Sequence, residues 1–61
     1  MHTRKIIKAL EANGWTLLRV RGDHHIFGKE GNPHRVVVPH PRKDTPPGTL
    51  RDIERKAGIK F

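Results

Sequence analysis

Arg35-Val36-Val37-Val38-Pro39 is the stretch on which the fold turns. Three successive β-branched residues are stiff at χ1 and suit a pleated surface better than a helix, so this is the clearest strand in the chain. Pro39 has no amide to donate and suits a strand end or edge. Working outward, His24-His25-Ile26-Phe27 reads as a strand just upstream. Before it, Trp15-Thr16-Leu17-Leu18-Arg19-Val20-Arg21 combines an aromatic ring, branched residues and alternating polarity, and ends at Gly22. The interval from Gly28 to Pro33 has turn composition. Links this short predict a three-stranded antiparallel meander.

Helical periodicity flanks the strands on both sides. Over residues 4–13, Ile6, Ile7 and Leu10 recur at three- and four-residue spacing, with Arg4, Lys5, Lys8 and Glu11 on the other arc. Thr3 is the expected N-cap and Asn13-Gly14 the stop. Over residues 46–57, Leu50, Ile53 and Ala57 make the apolar stripe. Thr45 is the expected N-cap there, Pro46 the first helical residue and Gly58 the stop. Ile59 and Phe61 should fold back onto the core. The expected fold is α+β in the order α-β-β-β-α, with two helices packed on one face of a three-stranded antiparallel sheet. That is also the order of the double-stranded-RNA-binding domain.

The 61 residues make one domain, near the lower size limit for folding on a hydrophobic core. There is no cysteine, so neither disulfides nor thiolate zinc sites reinforce it, and a reducing cytoplasm is the expected location. No apolar run is long enough to span a membrane, and Met1–Lys8 is too polar for a signal peptide. Thirteen Lys and Arg against six Asp and Glu give a formal charge of +7, a field that draws polyanions. With Trp15, Phe27 and Phe61 as the whole aromatic complement, a single-strand binder built on stacked rings is disfavoured.

The five histidines raise the question of chemistry. His24 and His25 are adjacent on a strand and point to opposite faces, which is poor geometry for one metal ion; no metal or other cofactor is expected. The chain has neither Cys nor Ser, which disfavours an acyl-enzyme, and its carboxylates are too scattered to form a catalytic pair. What remains is acid–base catalysis on a substrate that carries its own nucleophile, as RNA does in its 2′-hydroxyl. His24 suits the proton transfer, and Arg21, Lys29, Arg35, Arg42 and Lys43 are candidate phosphate contacts. A glycine at position 22 would let a phosphate approach the backbone. A histidine on a strand is more often a hydrogen-bonded surface residue than a catalyst, so the residues alone leave catalysis undecided.

Several motifs in register resemble the HicA family, the RNA-cleaving toxins of HicA–HicB toxin–antitoxin modules. They are Asn13-Gly14-Trp15, the Gly22-x-His24-His25-x-Phe27 strand, Val36-Val37-Val38-Pro39-His40-Pro41, Lys43-Asp44, Pro47-Gly48-Thr49-Leu50, and Ile53 through Lys56-Ala57-Gly58-Ile59. The resemblance implies a double-stranded-RNA-binding-domain-like fold and metal-independent cleavage of mRNA. It implies His24 as the catalytic residue, with Gly22 important for activity. It also implies a HicB-type antitoxin partner, a monomeric free toxin and a hetero-oligomeric complex. His25 is either a substrate contact or an inert strand residue. Family members usually carry serine where this chain has Asp23, a carboxylate that could repel substrate phosphate or stabilise a protonated imidazole. Strand alternation predicts that Asp23 and His24 point apart. The competing reading is a non-catalytic module binding double-stranded RNA or other nucleic acid.

Overall fold

The computed structural model describes residues 2–39 and 44–61. Its elements are α1 (Thr3–Ala12), β1 (Thr16–Arg21), β2 (His24–Lys29), β3 (Asn32–Pro39) and α2 (Pro47–Ala57). The strands form one antiparallel sheet in the order β1-β2-β3. The expected turn over Gly28–Pro33 contracts to Glu30-Gly31, because Lys29 already pairs with Asn32. Pro33 is tolerated inside β3 because that strand is an edge and need not donate on its outer side.

The helices lie over one face of the sheet, chiefly against β3. Val36 and Val38 are fully buried while Val37 between them is 40% exposed, so β3 has one covered face and one open face. Ile6 and Leu10 from α1, Ile53 from α2, Trp15 and Phe27 complete the buried core. Ile7, Leu50, Ala57, Ile59 and Phe61 pack around it half-buried, as their spacing predicts. Every residue of β1 is exposed. No helix described is long and apolar enough to cross a membrane.

The stop of α1 shows why a short helix holds. The amide of Trp15 donates to the Leu10 carbonyl at 3.0 Å and that of Gly14 to Glu11 at 3.2 Å, with Gly14 at φ +89°. These are the two bonds of a Schellman motif, and the Leu10 and Trp15 side chains, both buried, supply its apolar contact. A ten-residue helix is marginal alone. Here its last turn is fastened to the core through the residue that leads into β1.

Both N-caps differ from expectation. His2 caps α1, its Nδ1 accepting from the Arg4 amide at 3.3 Å. Pro46 occupies the N-cap position of α2 with no side-chain bond, and Pro47 is the first helical residue. Thr3 and Thr45 are instead buried, and their hydroxyls bond each other at 2.9 Å. A hydroxyl inside an apolar core must find a partner, and each supplies the other's. A bridge between His2 and Asp44 lies beside this bond and ties the start of α1 to the approach to α2.

Candidate functional site

The turn between β1 and β2 consists of Gly22 and Asp23 alone. Gly22 has φ +62° and, among the described residues, no non-glycine has positive φ, so the first central position is left-handed and the second is not. This is the pattern of II′ hairpins, in which glycine is preferred first and the twist matches that of the flanking strands. Among the described residues no atom lies within 4 Å of where a Gly22 Cβ would stand.

The turn fixes where His24 sits. As the first residue of β2 it lies opposite Arg21 on β1 and opposite Pro39 on β3. Opposed residues of an antiparallel pair share a face, so Arg21, His24 and Pro39 form a row on the face away from the core. Ile26 and Val37 form the next row. His25 faces the other way, opposite Val20 and the buried Val38, and is half-buried. The two imidazoles are therefore on opposite faces, as alternation predicts.

His24 borders a shallow cavity of about 460 Å³, lined by His24, Val37 and Pro39 from the sheet and by Gly48, Thr49 and Asp52 from α2. The amides of Gly48 and Thr49 precede the first bond of α2, which Leu50 donates to the Pro46 carbonyl at 2.9 Å, and they form the positive end of the helix dipole. Asp52 lies one turn further on. The Lys56 ammonium at 3.2 Å, and then the Arg55 guanidinium at 3.0 Å, hold its carboxyl below the ordinary value. Its negative charge is thereby offset within α2.

Asp23 departs from expectation. Its Oδ1 stands 3.8 Å from His24 Nε2, with the side chains 75% and 57% exposed respectively. Alternation does not separate them because Asp23 belongs to the turn and not to the strand. In water this contact is weak, and its importance lies in placing a negative charge beside the imidazole.

The sequence-predicted cations divide. Arg21 stands across from His24. Lys29 and Arg35 line a separate depression with Leu18, Gly28 and Glu30 at the far end of the sheet. At about 3.3 Å per residue, Lys29 is on the order of 16 Å along β2 from His24. Arg42 and Lys43, with His40 and Pro41, lie outside the described residues. Among the described residues no group of three His, Cys, Asp or Glu is arranged to hold a metal. Another cavity, of about 740 Å³, is a shelf on α2 bordered by Arg51, Glu54, Arg55 and Lys60.

A family model described as the HicA toxin of bacterial toxin–antitoxin matches residues 3–59. The chain belongs to the HicA toxin family. Among solved structures, the "HicA3 and HicB3 toxin-antitoxin complex" contains a chain of 35% identity and TM-score 0.83. The match covers 100% of this chain and 98% of that one. No curated relative matches significantly. In this HicA-family chain, sequence reasoning missed Thr49 and Asp52 as neighbours of His24. Pro47-Gly48-Thr49-Leu50 stood out as a motif, but nothing local to it points to a histidine more than twenty residues upstream.

Proposed function

We propose that this HicA-family chain is a metal-independent endoribonuclease toxin that cleaves mRNA with His24 as its acid–base group and is held inactive by a HicB-type antitoxin. The observation that carries the reading is the position of His24: exposed on the open face of the sheet, opposite Arg21, and lining one cavity together with Gly48 and Thr49 of α2. An imidazole there is accessible to a polymer, and cationic and amide groups around it suit a phosphodiester.

In the reaction the 2′-oxygen bonds to the adjacent phosphorus and the bond from phosphorus to the 5′-oxygen breaks. The products are a 2′,3′-cyclic phosphate and a 5′-hydroxyl. Neutral His24 takes the 2′ proton, or protonated His24 gives a proton to the departing 5′-oxygen; solvent serves the other transfer. Arg21 offsets charge on the phosphoryl oxygens. Gly22 leaves the turn open to the backbone of the substrate. His25, on the opposite face, acts on RNA only where the substrate wraps the sheet edge, and Lys29 and Arg35 contact a strand that runs the length of the sheet. Arg42 and Lys43 remain candidate phosphate contacts on sequence grounds.

The free toxin is proposed to be a cytoplasmic monomer and the inhibited form a hetero-oligomer with its antitoxin. Support for the partner comes from the similar chain in the HicA3 and HicB3 complex.

The test is incubation of the purified chain with mRNA in excess EDTA, beside His24→Ala and His25→Ala. Cleavage that survives chelation, leaves cyclic phosphate ends and falls at least ~10²-fold only in His24→Ala is the expected result. RNA that stays intact while it binds the folded chain would instead establish a non-catalytic nucleic-acid-binding module.

A further inference from the structure

β1 is the part of the molecule that the proposed chemistry leaves unused. Among the described residues it is an edge strand, paired only with β2, and the helices pack chiefly over β3. Its apolar side chains consequently stay in water: Leu17 is 42% exposed, Leu18 52% and Val20 53%. Leu18 lies across Gly28 of β2, where a Cβ would stand 2.6 Å from its Cδ1. Leu17 and Val20 share the face of Phe27 and His25, which they oppose, and form an exposed apolar patch on that side of the edge, while Arg19 and Arg21 share the face of Ile26 and His24. The free edge also presents backbone N–H and C=O groups that a further strand could pair.

Charge decides what kind of strand that is. Arg19 and Arg21 alternate with the apolar positions, and neither is ion-paired among the described residues. A second copy of this chain would bring the same arginines against each other on bodies of formal charge +7. Like charges opposed across strands are destabilising. The bulge between Leu17 and Arg19 further twists the edge away from a flat self-match. A strand alternating acidic and apolar residues meets both needs, because its carboxylates face the arginines and its apolar side chains cover the patch.

We propose that the β1 edge is a docking surface for an extended acidic–apolar segment of a protein partner, added as a fourth strand beside Leu17, Leu18 and Val20. As the antitoxin-docking element the proposal rests on the toxin reading above. The geometry fits inhibition: strands lie about 4.8 Å apart, so the added strand runs roughly 10 Å from the backbone of His24. The added strand lies on the β1 side of His24 and the cavity on its β3 side, so the partner approaches the imidazole from the side opposite α2. Main-chain bonding of this kind supplies affinity, and the alternating side chains supply selectivity.

The probe is a capped hexapeptide of alternating glutamate and valine, titrated to millimolar concentration against the full chain by amide-resolved NMR. The expected result is shifts and slowed amide exchange concentrated in residues 16–21. A peptide with lysine for glutamate should bind at least tenfold more weakly, and Arg19→Glu should reverse that preference. Val20→Lys, which adds charge to the patch, should weaken the glutamate peptide, while Val20→Thr keeps the strand and serves as the folding control. Shifts centred on His24 and Thr49, equal binding of both peptides, no binding at all, or protection of β1 in a self-dimer would each overturn the proposal. RNA cleavage by the same samples is read separately. Loss of cleavage in the unmodified chain would sink the toxin reading while leaving the peptide result intact, and Val20→Thr is expected to cleave normally.

Discussion

Thr3 and Thr45, 42 residues apart in sequence, meet through their hydroxyls at 2.9 Å inside the protein. The bond joins the first turn of α1 to the segment entering α2, and so helps set where α2 lies relative to the sheet. Because α2 supplies Gly48, Thr49 and Asp52 to the cavity beside His24, this interior contact bears on the site. Thr3→Val or Thr45→Val alone leaves one buried hydroxyl unpaired and should cost about 1–3 kcal/mol. The double replacement removes both polar groups and should cost clearly less than the sum. Urea unfolding of the four proteins measures the coupling, and strict additivity would show that the bond contributes nothing.

Gly22→Ala forces a side chain into a left-handed position at φ +62°. The backbone penalty is about 1–2 kcal/mol, although a Cβ there meets no neighbour among the described residues. Asp23→Ala, whose residue has no positive φ, should cost under about 0.5 kcal/mol. RNA cleavage should fall in the Gly22 variant, because the turn sets the approach of His24 two residues later. Paired measurements of unfolding midpoint and kcat/KM separate strain from chemistry; a Gly22→Ala protein of full stability and activity would contradict the conformational role.

Asp23 places a carboxylate 3.8 Å from His24 Nε2, where its charge would oppose a phosphate bound at the imidazole. Both groups are largely solvated, so the effect is modest, about 0.5–1 kcal/mol. Asp23→Ser should raise kcat/KM for RNA about two- to fivefold, mainly through a lower KM, and the gain should shrink in high salt. Equal rates at low salt for the two proteins would deprive Asp23 of functional weight.

Asp52 gives a pH signature. Lys56 first, and Arg55 next, lower its carboxyl from the ordinary value. A group depressed in the folded state adds stability above its unfolded value and loses that contribution as pH falls through the folded one. The window lies below about pH 4. The unfolding midpoints of wild type and Asp52→Asn should therefore differ slightly at neutral pH and converge in acid. A gap that widens on acidification would contradict the ion-pair assignment.

The sequence by itself determined the elements and their order. Three valines before a proline, a helical stripe of Ile6 and Leu10 closed by Asn13-Gly14, and a second stripe through Leu50 and Ile53 are local patterns, and local patterns specify helix and strand. It also determined that His24 and His25 face opposite ways, since alternation is a property of any strand. The hydroxyl roles were misread for the same reason that they were readable at all. Thr3 and Thr45 have the chemistry of caps, and only the distant return of the chain toward α1 offers each a buried partner instead. Tertiary structure alone brought Thr49 and Asp52 to His24, separated Lys29 and Arg35 from it, turned Asp23 toward the imidazole and left β1 uncovered. Those relations depend on how the helices cross the sheet and on a two-residue turn, which no single stretch of sequence encodes.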